Sequence, residues 1–174
     1  DRIICKGDVN LILKDSVELK APKCISVNEG NSLTIWGDSK ATGKLIVDSV
    51  EEKFSGIGGD KDNSSGQITI NGGNIKVKGG SDAAGIGGGS NGEGNVTING
   101  GTVDAEGGTF HQTYFDVLDY HDDDCRSGAG ISGGFRGEGV VIIGGGTIKA
   151  KGGLGSAGIG GGKHGTGNVT INGD

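Results

Sequence analysis

The 28 residues Gln67–Gly94, QITINGGNIKVKGGSDAAGIGGGSNGEG, return almost position for position as Val140–Gly167, VVIIGGGTIKAKGGLGSAGIGGGKHGTG. A third copy begins NVTINGGTVDAEGG at Asn95, directly after the first, and a fourth starts at Asn168 and runs to Asp174. A fixed period of roughly 28 residues means a solenoid, because a unit this small cannot bury its apolar face alone and must stack on its neighbours.

Composition closes off the alternatives. Gly accounts for 41 of the 174 residues and aromatics for only 4 %, too little bulk for an ordinary two-layer core. Collagen is excluded because there is no Gly-X-Y period and Pro22 is the one proline. Disorder is excluded because Val, Ile and Leu recur in short alternating runs. The net charge of −6 is spread along the chain without a Lys/Arg stripe, so the footprint of a nucleic-acid binder is missing. No apolar run is long enough for a membrane-spanning helix. The opening DRIICKGDV lacks a signal-peptide layout, and the last repeat stops mid-pattern. The expectation is a mature or excised piece of a larger protein.

Each repeat reads as strand, Gly-rich corner, strand, loop, Gly-rich face. The first strands are the triplets Leu11-Ile12-Leu13, Leu33-Thr34-Ile35, Ile68-Thr69-Ile70, Val96-Thr97-Ile98, Val141-Ile142-Ile143 and Val169-Thr170-Ile171. Side chains alternate across a strand, so the outer two of each triplet point inward and the middle one outward. The second strands, SVELK, KLIVD, NIKVK, TVDAE and TIKAK, turn Val17/Leu19, Leu45/Val47, Ile75/Val77, Val103/Ala105 and Ile148/Ala150 inward. Outward, one column reads Lys20, Asp48, Lys78, Glu106, Lys151 and another Lys76, Asp104, Lys149. Charges that alternate in sign from rung to rung attract, and a slip by one rung would set like charges together. The third side places one large residue, Ile57, Ile86, Ile131 or Ile159, among glycines, with Ile25 in KCISV as its first version. None of these glycine-rich copies fits a phosphate-binding loop between strand and helix. The chain is therefore predicted to be an all-β, right-handed parallel β-helix of about five to six rungs with a repeat of roughly 28 residues. It forms one domain, with 1–55 as capping rungs, 56–174 as Gly-rich repeats and an insertion at 109–128.

That insertion, TFHQTYFDVLDYHDDDCRSG, adds 17 residues where the sibling repeats have SDA or LGS. It holds Phe110, His111, Tyr114, Phe115, Tyr120 and His121. Insertions in solenoids map to loops on one face, often the binding face, and rings beside carboxylates suit a sugar or a partner's surface. The alternative is a loop whose aromatics cover an edge of the coil. Asp119, Asp122, Asp123 and Asp124, with Asp116, offer hard oxygen ligands to calcium, and His111, His121 and Cys125 could suit zinc. Neither set has a diagnostic spacing, and an Asp run is more often a solvated turn. No other cofactor is indicated. Cys5 and Cys24 lie about one rung apart in the N-terminal region and can either face each other as a disulfide or be two buried thiols. No paired carboxylates suggest catalysis, so an enzyme is not expected. His164, in KHGTG, is expected to be exposed.

The motifs AGIGGG and GNVTINGGTV, with the lead DVNLILKDSVELKA…CISVNEGNSLTIWG, resemble repeats of large, modular, cell-wall-attached proteins of gut Firmicutes. Those repeats are often described as adhesin-like or carbohydrate-binding. The resemblance covers nearly the whole chain except Thr109–Gly128. It implies a β-helix on the cell exterior that contacts a glycan or a protein surface. The competing expectations are a structural stalk or end-to-end filament subunit, and a polysaccharide lyase or hydrolase of β-helix fold.

Overall fold

The computed structural model describes residues 1–49, 51–111 and 125–172, with His111 described in its backbone alone. Six rungs stack into a right-handed parallel β-helix with three sides. The narrow side is a sheet of two-residue strands: β1 (Ile3–Ile4), β4 (Ile25–Ser26), β7 (Ile57–Gly58), β10 (Ile86–Gly87), β15 (Ile131–Ser132) and β18 (Ile159–Gly160). The second, which we call the polar sheet, contains β2 (Asp8–Leu13), β5 (Ser32–Gly37), β8 (Gln67–Ile70), β11 (Gly94–Ile98), β16 (Gly139–Ile143) and β19 (Gly167–Ile171). The third, the charged sheet, has five strands: β3 (Glu18–Ala21), β6 (Lys44–Asp48), β9 (Asn74–Lys78), β12 (Thr102–Glu106) and β17 (Thr147–Lys151). An antiparallel pair, β13 (Thr109–His111) with β14 (Cys125–Ser127), stands apart at the root of the insertion.

Why the chain takes this form is visible in its columns. Ile3, Ile25, Ile57, Ile86, Ile131 and Ile159 pair in register from rung to rung, and the four middle ones are buried. On the polar sheet Leu33, Ile68, Val96 and Val141 form one buried column and Ile35, Ile70, Ile98 and Ile143 a second. Leu45, Ile75 and Val103 add a column from the charged sheet. Each core residue thus meets its own kind one strand spacing away, and the apolar surface removed from water is shared between rungs rather than contained in any one.

Alternation is confirmed throughout, but the register of the first rung differs from the sequence reading. Val9 and Leu11 pair with Leu33 and Ile35, which sets Asn10 beside Thr34 and Ile12 beside Trp36. On the charged sheet Leu19 and Ala21 pair with Leu45 and Val47. Ala21 is therefore the buried residue, while Val17 is exposed. Lys20 lies beside Ile46, not Asp48. Both shifts are of two residues, which leaves the inward and outward faces unchanged.

Of the two readings of Cys5 and Cys24, the disulfide is corrected and the pair of buried thiols stands. Neither thiol is in a disulfide, and both are buried. Pairing of Ile3 with Ile25 and of Ile4 with Ser26 carries Cys5 to the level of Val27. Three residues of offset, about 10 Å along the strand, put the two Cα atoms beyond disulfide reach. Burial pushes both thiols up from their ordinary pKa.

The charge ladder holds from the second rung onward: Asp48 pairs with Lys78, Lys78 with Glu106 and Glu106 with Lys151. Lys151 reaches Glu106 at 3.4 Å, and Lys149 reaches Asp104 at 3.8 Å. Glu106→Lys sets three lysines in a row. We expect it to lower stability by about 1 kcal/mol in dilute buffer, with most of the loss recovered in about 1 M salt. Urea titrations at the two ionic strengths check this, and a salt-independent loss would assign the effect to packing instead.

Candidate functional site

Two loops flank each strand of the narrow sheet and fold back toward each other. The N–H of Ser55 donates to the carbonyl of Gly59, Ala84 to Gly88, Ala129 to Gly133 and Ala157 to Gly161, at 2.9–3.3 Å. The chain therefore curves across each of these short strands, and Ser26, Gly58, Gly87 and Ser132 are buried along with the isoleucines. The insertion rises from the loop between β12 and β15, at the corner joining the charged and narrow sheets.

Asp82 lies beneath it. This residue occupies the matching loop one rung earlier, with φ at +69°, a conformation that Asp tolerates better than most side chains. Its carbonyl accepts a hydrogen bond from the N–H of Phe135 at 2.8 Å, joining loops of successive rungs. The carboxylate is completely buried, and among the described residues neither oxygen has a hydrogen-bond partner. Arg126, in β14, brings Nε to 3.4 Å of Oδ2 and sets its guanidinium over the Phe110 ring, 4.9 Å from the centroid. Burial is the larger influence on Asp82 and pushes its carboxyl above the ordinary value. Arg126 and then Lys53 pull it down, while Glu52 pushes it up. The foot of the insertion thus sets one cation against both a ring and a buried carboxylate. Burial of an unsolvated carboxylate costs stability, and Arg126 offsets part of that cost.

A similar arrangement stands at the first rung. Arg2 lies over the Phe54 ring at 5.0 Å and reaches Asp60 at 3.5 Å. Asp60 differs in being satisfied, since Ser26 Oγ and Asn28 Nδ2 both donate to it. Cys24 Sγ is 3.8 Å from Ser26 Oγ, but burial raises its thiol pKa and works against a thiolate nucleophile.

Of the aromatic residues singled out in the insertion, Phe110 is half-buried in the stack with Arg126. The backbone of His111 pairs with Cys125 in the hairpin. Tyr114, Phe115, Tyr120 and His121 lie outside the described residues, as do Asp119, Asp122, Asp123 and Asp124. Among the described residues no group of three or more His, Cys, Asp or Glu is placed to hold a metal ion. His164 is exposed as expected, with φ at +63°, and meets the Phe135 ring edge-on at 5.9 Å. The sequence did not point to Asp82 or Arg126. The available signal was an Asp set among small residues, Ser81, Ala83 and Ala84, where the sibling copy has Gly155.

A protein-family model described as a beta helix repeat matches residues 68–90, 96–135 and 141–163. These stretches coincide with the rungs built on β8 to β18. This is a β-helix repeat domain. The third matched stretch begins at β16, so the β-helix repeat resumes in step after the interruption. No curated protein and no solved structure matches the domain. Among the described residues no helix is long and apolar enough to cross a membrane.

Proposed function

We propose that this β-helix repeat domain is a non-catalytic binding or adhesion module of a larger surface protein outside the cell. It meets its ligand, a glycan or a partner's surface, through the insertion 109–128. The observation that carries the reading is that the stack runs on unbroken beneath the insertion. Ile86 pairs directly with Ile131, just as Ile131 pairs with Ile159. The added residues therefore contribute nothing to the register of the coil, while their root is fixed by the β13–β14 pair and by Arg126. A loop that leaves the fold unchanged and is nevertheless rigidly rooted is what a displayed contact surface requires.

Polysaccharide-cleaving enzymes pair carboxylates in an open groove. The groove along the charged sheet holds Asp104 and Glu106, and each is engaged by a lysine of the next rung. That geometry favours binding over hydrolysis.

The test is a glycan-array screen of the parent chain beside a variant in which Thr109–Gly128 is replaced by Leu-Gly-Ser, the linker that closes the sibling repeat. We expect the variant to keep its far-UV circular dichroism and lose at least about tenfold in affinity, roughly 1.4 kcal/mol. Equal binding by both chains would remove the insertion from the site. Binding by neither, with both folded, would favour a rigid stalk or an end-to-end subunit.

A further inference from the structure

The three sides of the coil are chemically unlike. The narrow sheet has two-residue strands that are buried on most rungs, and the charged sheet presents Lys and Asp or Glu on nearly every rung. The polar sheet is open and almost uncharged. Among the described residues its outward positions hold one ionisable side chain, Asp8, at the first rung. The rest are Thr, Asn, Gln and Ser, interrupted by a few apolar residues.

We infer that this outer face is a platform for an extended, neutral polysaccharide. Four observations support it. First, the chain's single tryptophan, Trp36, is outward on β5 and 44 % exposed. Its Nε1–H donates to Asn10 Oδ1 at 3.1 Å, which fixes the indole at one edge. An anchored aromatic ring presents an apolar surface to the C–H face of a sugar without an ordering cost on binding.

Second, side-chain amides continue from Trp36 along the axis. Asn71 follows the end of β8, and Asn99 Nδ2 donates to Asn71 Oδ1 at 2.8 Å. Each amide in such a ladder is held in one orientation and keeps further donor and acceptor capacity for hydroxyl groups. The next column holds Thr34, Thr69 and Thr97 in register. Strands lie about 4.8 Å apart, so these groups recur at a spacing comparable with one pyranose unit.

Third, the apolar residues on this face are split into two places, Ile12 with Trp36 on the first rungs and Val140 with Ile142 on β16. Thr, Asn and Gln separate them, so no contiguous apolar patch exists of the kind a protein interface uses at its centre. A carbohydrate, which offers C–H faces and hydroxyl edges in alternation, matches this mixture.

Fourth, the charge of the surroundings selects among polysaccharides. A trough of about 580 Å³ borders the face, lined by Asn31, Ser64, Gln67 and Asn95, with Glu29 and Glu93 at its rim. These carboxylates accept hydrogen bonds from hydroxyl groups but repel an acidic polymer, as does the overall charge of −6. The root of the insertion, Thr109–His111 with Cys125–Ser127, is at the corner between the charged and narrow sheets, opposite this face, so the two surfaces can be tested apart.

The experiment is sedimentation of the intact chain with microcrystalline cellulose, insoluble mannan, chitin and cross-linked polygalacturonate. Retention on at least one neutral polymer and none on polygalacturonate is expected. Trp36→Ala, checked for fold by circular dichroism, should lower the partition coefficient about tenfold, while Trp36→Tyr keeps most of it. The Leu-Gly-Ser replacement of the insertion should change it by less than about twofold, whatever its effect on the glycan array. Retention on none of the neutral polymers, equal retention on polygalacturonate, or loss of retention with the insertion would each overturn the inference. So would full retention by Trp36→Ala.

Discussion

Gly87→Ala is expected to cost about 3–5 kcal/mol, a large share of a domain's stability. Gly87 sits in β10 with φ at +131°, where side chains are strained. A Cβ there would fall 2.1 Å from the carbonyl oxygen of Ser132 in the next rung. That oxygen cannot retreat cheaply, since it accepts the N–H of Gly88 at 2.7 Å. Backbone from two rungs would have to separate, and with it the seam on which Ile86 meets Ile131. Gly30→Ala is the control. Its φ of +82° is also positive, but nothing lies within 4 Å of the added methyl, so only the conformational cost of about 1 kcal/mol remains. Urea unfolding followed by circular dichroism should separate the two variants widely. A repeat stack weakened at one seam should also lose cooperativity and unfold over a broader range. Equal midpoints for the two variants would mean that the rungs are not in such close contact.

Arg126→Leu is expected to destabilise the chain at pH 7 and much less in acid. Burial holds the Asp82 carboxyl above its ordinary value of 3.8, and Arg126 is the foremost opposing influence. A raised folded-state value means that Asp82 supports the fold fully below pH 3.8 and that this support is lost as pH rises through the folded-state value. Removing Arg126 raises that value further, so more is lost by neutrality. The deficit against the parent should reach about 1–3 kcal/mol at pH 7, below the full figure for a broken buried pair because Arg126 itself is partly solvated. Near pH 4 it should shrink toward the lost contact with Phe110, about 0.5–1 kcal/mol. In an Asp82→Asn background, Arg126→Leu should cost only that remainder at every pH. Denaturation midpoints of the four chains between pH 4 and 7 give the answer. A deficit that is constant with pH, or that grows in acid, would mean that Asp82 and Arg126 are not coupled.

The solenoid and its inside were legible because both are local or repetitive properties. Which side of a strand a residue takes depends on its neighbours two places away, and Ile68, Ile70, Val96 and Ile98 all point where alternation places them. The ladder Asp48, Lys78, Glu106, Lys151 was readable for the same reason, since the repeats align it without reference to space. The first rung shows the limit. Its spacing differs from that of the later repeats, and a shift of two residues preserves every inward position. Alternation alone therefore could not tell whether Ile12 lies beside Thr34 or Trp36, or Lys20 beside Asp48 or Ile46. The same uncertainty allowed the Cys5–Cys24 bridge, which three residues of offset rule out.

By itself, then, the sequence determined the parallel stack, the isoleucine column, the sign of the charged face and the single place where the period is broken. Only the tertiary structure decided that Asp82 is sealed under that break, against an arginine far along the chain. It also decided that the polar sheet joins Trp36, Asn71 and Asn99 into one open, almost uncharged face. The physical reason is the same in both cases. Periodicity fixes which way a side chain points, whereas burial and contact depend on how loops and rungs distant in sequence close on each other.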